Sequence, residues 1–446
     1  MRRSITFVLL VIVTIFMGCS SSRKVGELNM SHLYQNQGVV VQPEFYVFQR
    51  DTSLTDIYFR LSTDQLLYSR DPESGRYEAN LLIQYRLYNS LERTNLVDSG
   101  SVWISDIQDR PGTRLLTGKA TVKTKYPLKN GDLYTFISLT DVQRKLTYSD
   151  ILTIQRSDPR HQQNFLMKDT AGHIIFNHHS TPGRPFYLEF NRSIPKYWVA
   201  YHSDRFPLPA PPYVENAKDK FSLRKDSIYE VDPSKPITLS KPGFYQFRVE
   251  KDTRAGFTAF NFNETFPYIG LKDQLGGPLR YLTTNEEYSE ISGATDDSTM
   301  KYMADAFWLR NAGSIERGQY LVEQFYSRVE SANKFFTSFV PGWKTDRGLV
   351  YIIFGPPSAI YKDGISELWI YGNENSSLNH NYTFVKVNNP FTENDYQLKR
   401  KSEYRYGWGR AIEAWRNGQV YSVKEIKREQ DERDQSLRTG NPYLGY

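Results

Sequence analysis

Asp346, Arg347 and Glu367 place two carboxylates and a cation within a short stretch of the C-terminal third. Gathered in one cleft, they would supply an acid, a base and a charge clamp, the set that general acid/base work on a glycan or a peptide requires. Paired carboxylates of glycosidases stand about 5 to 10 Å apart, a separation that sequence does not give. His178 and His179 are adjacent, and neighbours on a strand point to opposite faces, so they cannot readily share an ion and are expected to be surface histidines. None of the seven histidines has the i, i+4 spacing of zinc proteases, and HExxH, GxxxxGK, GxGxxG and GxSxG patterns are absent. No catalytic residue, metal or cofactor is therefore assigned. Tyr404-Arg-Tyr-Gly-Trp-Gly409, followed by Trp415, is aromatic and glycine-rich; it reads as a loop packed on the core, with stacking on sugar rings as the alternative.

The single cysteine carries a different chemistry. Met1-Arg2-Arg3 is a short positive region, and Ile5 to Met17 is apolar except for Thr6 and Thr14. That is shorter than the about 17 residues a spanning helix needs and suits a cleaved signal. Phe16-Met17-Gly18-Cys19 follows directly and resembles the lipobox of bacterial lipoproteins, in which the cysteine is diacylated and becomes the mature N-terminus. The resemblance makes Cys19 the lipid-attachment residue and membrane lipid a partner, and it implies a lipoprotein signal peptide over 1–18. Ser20-Ser21-Ser22 then opens a spacer over 19–41.

At 446 residues the chain is long enough for several domains. Its 24% charged and 15% aromatic content excludes a disordered or collagen-like chain and favours strands. Loss of Arg2 and Arg3 with the signal lowers the net charge from +6 to about +4, too small for a nucleic-acid binder.

From 42 to 158 the pattern has period two. Ile57, Phe59 and Leu61 form one face of a strand, and Leu81, Ile83, Tyr85 and Leu87 one face of another. Phe45–Phe48, Ser101–Ser105, Leu116–Val122, Leu133–Leu139 and Ile151–Ile154 are further strands, with turns at Asp71–Gly75 and Lys129–Asp132. An immunoglobulin-like β-sandwich is expected. A second β-rich domain runs over 159–268, with Phe186, Leu188 and Phe190 on one face. Within it, Phe206-Pro-Leu-Pro-Ala-Pro-Pro-Tyr213 is too proline-dense for a sheet and reads as an extended surface loop. An α+β domain follows over 269–423. There Thr299–Asn311 forms a helix, Gly313 ends it, and Ser314 caps a second helix whose buried stripe is Leu321, Phe325, Val329, Ala332 and Phe336. Leu349–Phe354, Glu367–Tyr371 and Tyr382–Val387 read as strands. The tail over 424–446 begins with mixed charges that suit a solvated helix face. The fold class is thus multidomain, two β-sandwich domains followed by an α+β C-terminal domain.

Pro341-Gly-Trp-Lys-Thr-Asp-Arg-Gly348 leads into Leu349–Phe354, then Gly355-Pro356-Pro357, then Glu367-Leu-Trp-Ile-Tyr371. With Arg328-Val329 and Ala332-Asn333 ahead of it, this resembles the GWxTD-domain family of envelope lipoproteins. The resemblance marks Gly342, Trp343, Thr345, Asp346, Arg347, Gly348, Gly355, Pro356, Glu367, Trp369 and Tyr371 as a motif or interaction site. It implies a lipid-anchored protein of the Gram-negative outer membrane, facing the periplasm, with an envelope protein as partner; a glycan handled through Asp346 and Glu367 is the alternative. Physically, the motif reads as a structural corner. Gly342 and Gly348 could take positive φ, Thr345 or Asp346 could bond the local backbone, and Trp343 could wedge under the sheet that follows.

Overall fold

The computed structural model describes residues 29–35, 41–123, 131–203, 206–215, 224–270, 273–374, 376 and 379–439. Cys19, the expected signal segment and part of the expected turn at Lys129–Asp132 lie outside them.

The first sandwich contains β1 (Glu44–Gln49), β2 (Leu54–Ser62), β3 (Ser69–Arg70), β4 (Tyr77–Tyr88), β5 (Leu96–Gln108), β6 (Leu115–Lys123), β7 (Leu133–Asp141) and β8 (Leu146–Ile154). One sheet has the order β1-β2-β6; the other has β3-β4-β7-β8, with β5 also on β4. All pairings are antiparallel. Ile57, Phe59, Leu61, Leu81, Ile83 and Leu87 fill the space between the sheets, as the alternation requires.

The second unit has β9 (Phe165–Asp169) paired with β10 (Phe186–Phe190), and a four-stranded sheet built from β11 (Tyr197–Ser203), β12 (Ser227–Val231), β13 (Gly243–Arg248) and β14 (Phe257–Asn261) in the order β12-β11-β13-β14. All five residues of β14 are buried, so both faces of this strand are covered. Tyr245, Phe247, Phe257 and Ala259 belong to the core of this unit. Phe244 and Phe260 join Phe206, Phe262, Phe339 and Phe391 in a separate phenylalanine cluster that reaches into the C-terminal part. Phe206 opens the proline-rich stretch. That stretch is not a free surface loop: Leu208 and Tyr213 pack on the C-terminal core, and Arg400 and Lys401 donate hydrogen bonds to the carbonyls of Ala210 and Pro212.

The histidines differ from expectation for the same reason. His179 and His202 are 7% and 3% exposed, not surface groups. His202 stacks on Phe244 with ring centroids 4.4 Å apart, while the rings of His178 and His179 lie 4.5 and 4.8 Å from Phe257 and Phe266.

The C-terminal part comprises α1 (Asp273–Leu279), α2 (Asn285–Ser292), α3 (Asp297–Ala312), α4 (Ile315–Phe336), α5 (Asp346–Phe354), α6 (Tyr404–Arg416) and α7 (Val423–Thr439). Its antiparallel sheet contains β15 (Ala359–Lys362), β16 (Ser366–Tyr371), β17 (His380–Lys386) and β18 (Tyr396–Leu398) in that order. Ser314 caps α4 by accepting from the Arg317 amide, and Gly313 ends α3 at φ 74°, both as the sequence predicts. Two expectations fail. Leu349–Phe354 is helix and not strand, because an apolar run buried all round carries neither period and its Thr345 cap decides the outcome. Tyr404–Gly409 is the start of α6 and not a loop: Tyr404, Gly407, Trp408, Ala411 and Trp415 recur at helical spacing and are buried.

Part of the expected spacer is also structured. Ser31–Tyr34 forms a 3₁₀ turn, and Met30, Leu33 and Tyr34 are buried in the C-terminal core. The Met30 amide bonds the Ile360 carbonyl at 2.8 Å, and the Asn29 side chain accepts from the Ile360 amide at 3.1 Å.

Candidate functional site: a buried helix capped from within

Every residue of α5 is buried. A helix leaves four N–H and four C=O groups without internal partners, and water does not serve them here. The motif residues do. Thr345 Oγ1 accepts from the Gly348 amide at 3.0 Å and donates to the Gly342 carbonyl at 2.7 Å. Asp346 sits at the first helical position, where a negative charge suits the helix dipole. Its carboxylate accepts from the Leu398 amide at 2.8 Å, from Arg400 Nη1 at 3.1 Å and from Arg400 Nη2.

At the other end, Arg328 Nη1 donates to the carbonyls of Ile352 and Ile353 at 3.1 and 3.0 Å, and Nη2 to that of Tyr421 at 2.8 Å. Burial pulls this guanidinium down to about 10, which still leaves it charged at neutral pH. Trp415 Nε1 adds a bond to the Ile353 carbonyl at 3.0 Å, and the Tyr371 hydroxyl one to Gly355 at 2.9 Å.

The glycines act by absence of bulk. A Cβ on Gly342 would lie 1.8 Å from the Ala332 carbonyl oxygen of α4, and one on Gly348 would lie 2.0 Å from the Gly342 oxygen. Neither has the positive φ expected of it; that conformation falls to Gly355, at 77°, facing Arg328. Trp343 is placed against α1 and the segment after it. A Cβ on Gly277 would meet its ring at 2.9 Å, Tyr281 donates to its carbonyl at 2.7 Å, and its amide bonds Asn333 Oδ1 at 3.1 Å. Pro356 lies exposed in the turn after the helix.

Arg347 and Glu367 are 1% and 0% exposed. Glu367 Oε1 lies 3.1 Å from each of Arg347 Nη1, Lys362 Nζ and the Tyr34 hydroxyl, and Oε2 accepts from Trp369 Nε1 at 3.0 Å. Burial pushes the Glu367 carboxyl up, but Lys362 and Arg347 outweigh it and hold the group at about 2. Burial likewise raises the Tyr34 hydroxyl, to about 12. The other edge of Arg347 donates to the Asn394 carbonyl at 2.8 Å and to its side chain, and the guanidinium stacks over Tyr396 at 4.2 Å.

The two carboxylates of the sequence reading are therefore brought into one domain but not onto one cleft. Asp346 is engaged by Arg400 and Glu367 by Arg347 and Lys362. Glu367, bonded on both oxygens and held at about 2, is a poor proton donor at neutral pH. Arg400, Lys362, Asn394 and Tyr34 escaped sequence reasoning. Tyr34 lies 333 residues from Glu367, beyond any local signal.

Among the described residues no helix is long and apolar enough to cross a membrane, and no cluster of three or more metal-ligating side chains occurs. No curated protein matches the chain. Among solved structures, a beta-glucuronidase of Bacteroides uniformis is similar at 13% identity and a TM-score of 0.18, covering 33% of this chain and 14% of its own. The C-terminal domain of the Streptococcus pyogenes antigen I/II-family protein AspA is similar at 11% identity and a TM-score of 0.17, covering 50% of this chain and 98% of its own. The chain thus spans about a seventh of the glucuronidase, and neither likeness bears on function. The GWxTD domain model matches residues 243–417, a region that begins at β13, whose Phe244 belongs to the phenylalanine cluster shared with the C-terminal part. With the motif it contains, this match shows that the chain carries a GWxTD domain over residues 243–417.

Proposed function

We propose that this protein is a non-enzymatic envelope lipoprotein, held on the periplasmic face of the outer membrane by acylated Cys19, whose GWxTD domain is a rigid block that docks an envelope protein. The observation that carries this reading is the internal use of four charged groups in and beside the motif. Asp346, Arg347, Glu367 and Arg328 each serve α5 or one another, which supports a stiff scaffold over an acid/base centre. A hydrolytic reading through Asp346 and Glu367 finds no support in that arrangement.

The docked Asn29–Tyr34 segment adds to the proposal. Asn29 lies ten positions after Cys19, a span of at most about 35 Å when extended. An acylated Cys19 would then hold the GWxTD domain, and not the first sandwich alone, close to the bilayer. Palmitate labelling tests the anchor: wild type should incorporate label and Cys19→Ala should not. Crosslinking in intact envelopes tests the docking role. One abundant protein captured through residues 269–423 supports it, and turnover of an envelope glycan that is lost in Asp346→Asn with the fold intact refutes it.

A further inference from the structure

The outer face of the five-stranded sheet carries a feature that the scaffold role does not use. Along β4, Leu81, Ile83, Tyr85 and Leu87 face the sandwich core, so Gln84 and Arg86 face away from it. The pairing puts Ser101 on β5 and Ser138 on β7 opposite Gln84, with Ser149 on β8 completing the row. In the next row Ser99, Arg86, Phe136 and Ile151 stand side by side in the same strand order. On the other side of the first row, Leu82 pairs with Trp103, whose side is 57% exposed.

This floor is walled in. Asn29, Met30 and His32 of the docked N-terminal segment stand along it, with His32 Nε2 2.8 Å from the Ser149 carbonyl. Arg93 closes the opposite side, its guanidinium 4.3 Å over the Phe136 ring and its backbone at φ 58°, a conformation that disfavours a residue with a side chain. The half-open cavity measures about 620 Å³, a size suited to a small ligand.

Its chemistry is specific. The floor offers serine hydroxyls and an amide that can donate and accept, together with the aromatic ring of Phe136. Arg86 and Arg93 bring two guanidinium groups, neither with a carboxylate partner among the described residues. One carboxylate, Asp150, also lines the cavity; it accepts from the Ile151 amide at 2.7 Å and the Tyr148 hydroxyl at 3.4 Å, and Lys362 and His32 lie near enough to offset its charge. The cavity is thus cationic, rich in hydroxyl partners and bordered by rings.

We propose that this cavity is a binding site for an anionic saccharide, its carboxylate or phosphate held by Arg86 and Arg93 and its hydroxyls by the serine row. Guanidinium groups bind both anions in bidentate fashion, which makes the charge and the sugar the shared chemistry. The test is calorimetry on the purified full-length protein in detergent, with three probes: a glucuronic-acid-containing disaccharide, glucose 6-phosphate and uncharged cellobiose. Binding of at least one charged probe, with cellobiose weaker by about tenfold or more, is expected. The charged probe that binds better identifies the anion. Arg86→Ala and Arg93→Ala should each weaken that binding about tenfold while the thermal midpoint stays within a few degrees of wild type. The proposal is overturned if neither charged probe binds at about 10 mM, if cellobiose binds as tightly, or if both arginine variants bind as wild type does. Because the readout involves neither Cys19 nor a protein partner, failure here leaves the lipoprotein reading untouched, and failure of the labelling leaves this site standing.

Discussion

Two regions of this molecule are built from the same ingredients and treat them in opposite ways. Around α5, Arg328, Arg347 and Arg400 lie among aromatic rings and carboxylates, and each is used up by a carbonyl or a carboxylate within the chain. On the outer face of the first sandwich, Arg86 and Arg93 lie beside Phe136 with no such partner among the described residues. Residue type does not separate a structural cluster from a binding surface. Access to water and the presence of an internal counter-charge do, because a buried charge must be compensated on the spot while an exposed one is already solvated.

The comparison is broken most directly at Glu367. Glu367→Gln leaves Arg347 and Lys362 without their shared counter-charge, and urea unfolding should show a loss of about 3 to 5 kcal/mol. A loss below about 1 kcal/mol would mean that the cluster is far less buried than its geometry indicates. Gly348→Ala forces a methyl against the Gly342 carbonyl and should cost about 3 kcal/mol, read in the same experiment.

Acid sharpens the contrast in another buried place. Burial, aided by Arg248, lowers the His202 imidazole to about 4 from an ordinary 6.5. The unfolded chain therefore binds a proton that the folded chain refuses between those values, and stability falls as pH drops through that window. At pH 5 the loss from this one group is about 2 kcal/mol relative to pH 7, and His202→Phe should remove that part of the slope. Glu367 acts lower on the scale. With its folded value near 2, the stability it contributes is complete above about 4.5 and is lost only as pH falls towards 2.

Thr345→Ala removes one cap from α5 and should cost about 1 kcal/mol. The smallest effect belongs to the outer face, where Arg86→Ala should change stability by less than about 0.5 kcal/mol. An equal cost at Glu367 and Arg86 would erase the distinction between the two regions.

Local pattern carried much of the fold. The alternation at Ile57–Leu61 and Leu81–Leu87 located strands and their buried faces, and Ser314 and Gly313 marked helix ends, because each signal depends on neighbours within a turn or a strand. It failed at Leu349–Phe354, where burial on every side erases periodicity, and at Tyr404–Gly409, where the glycines were read as turn signals although Gly407 is small because the His380 ring packs against it.

The amino-acid order by itself determined the motif, the caps, the strand faces and the solitary cysteine after its apolar stretch, all of them properties of contiguous residues. Only the tertiary structure decided that Asp346 answers to Arg400, that Glu367 binds Arg347, Lys362 and Tyr34, and that a segment expected to be spacer forms the wall of a cavity. The physical reason is range. Hydrogen-bonding habit and hydrophobic period are set by near neighbours, whereas charge compensation and exclusion of water depend on which distant surfaces meet.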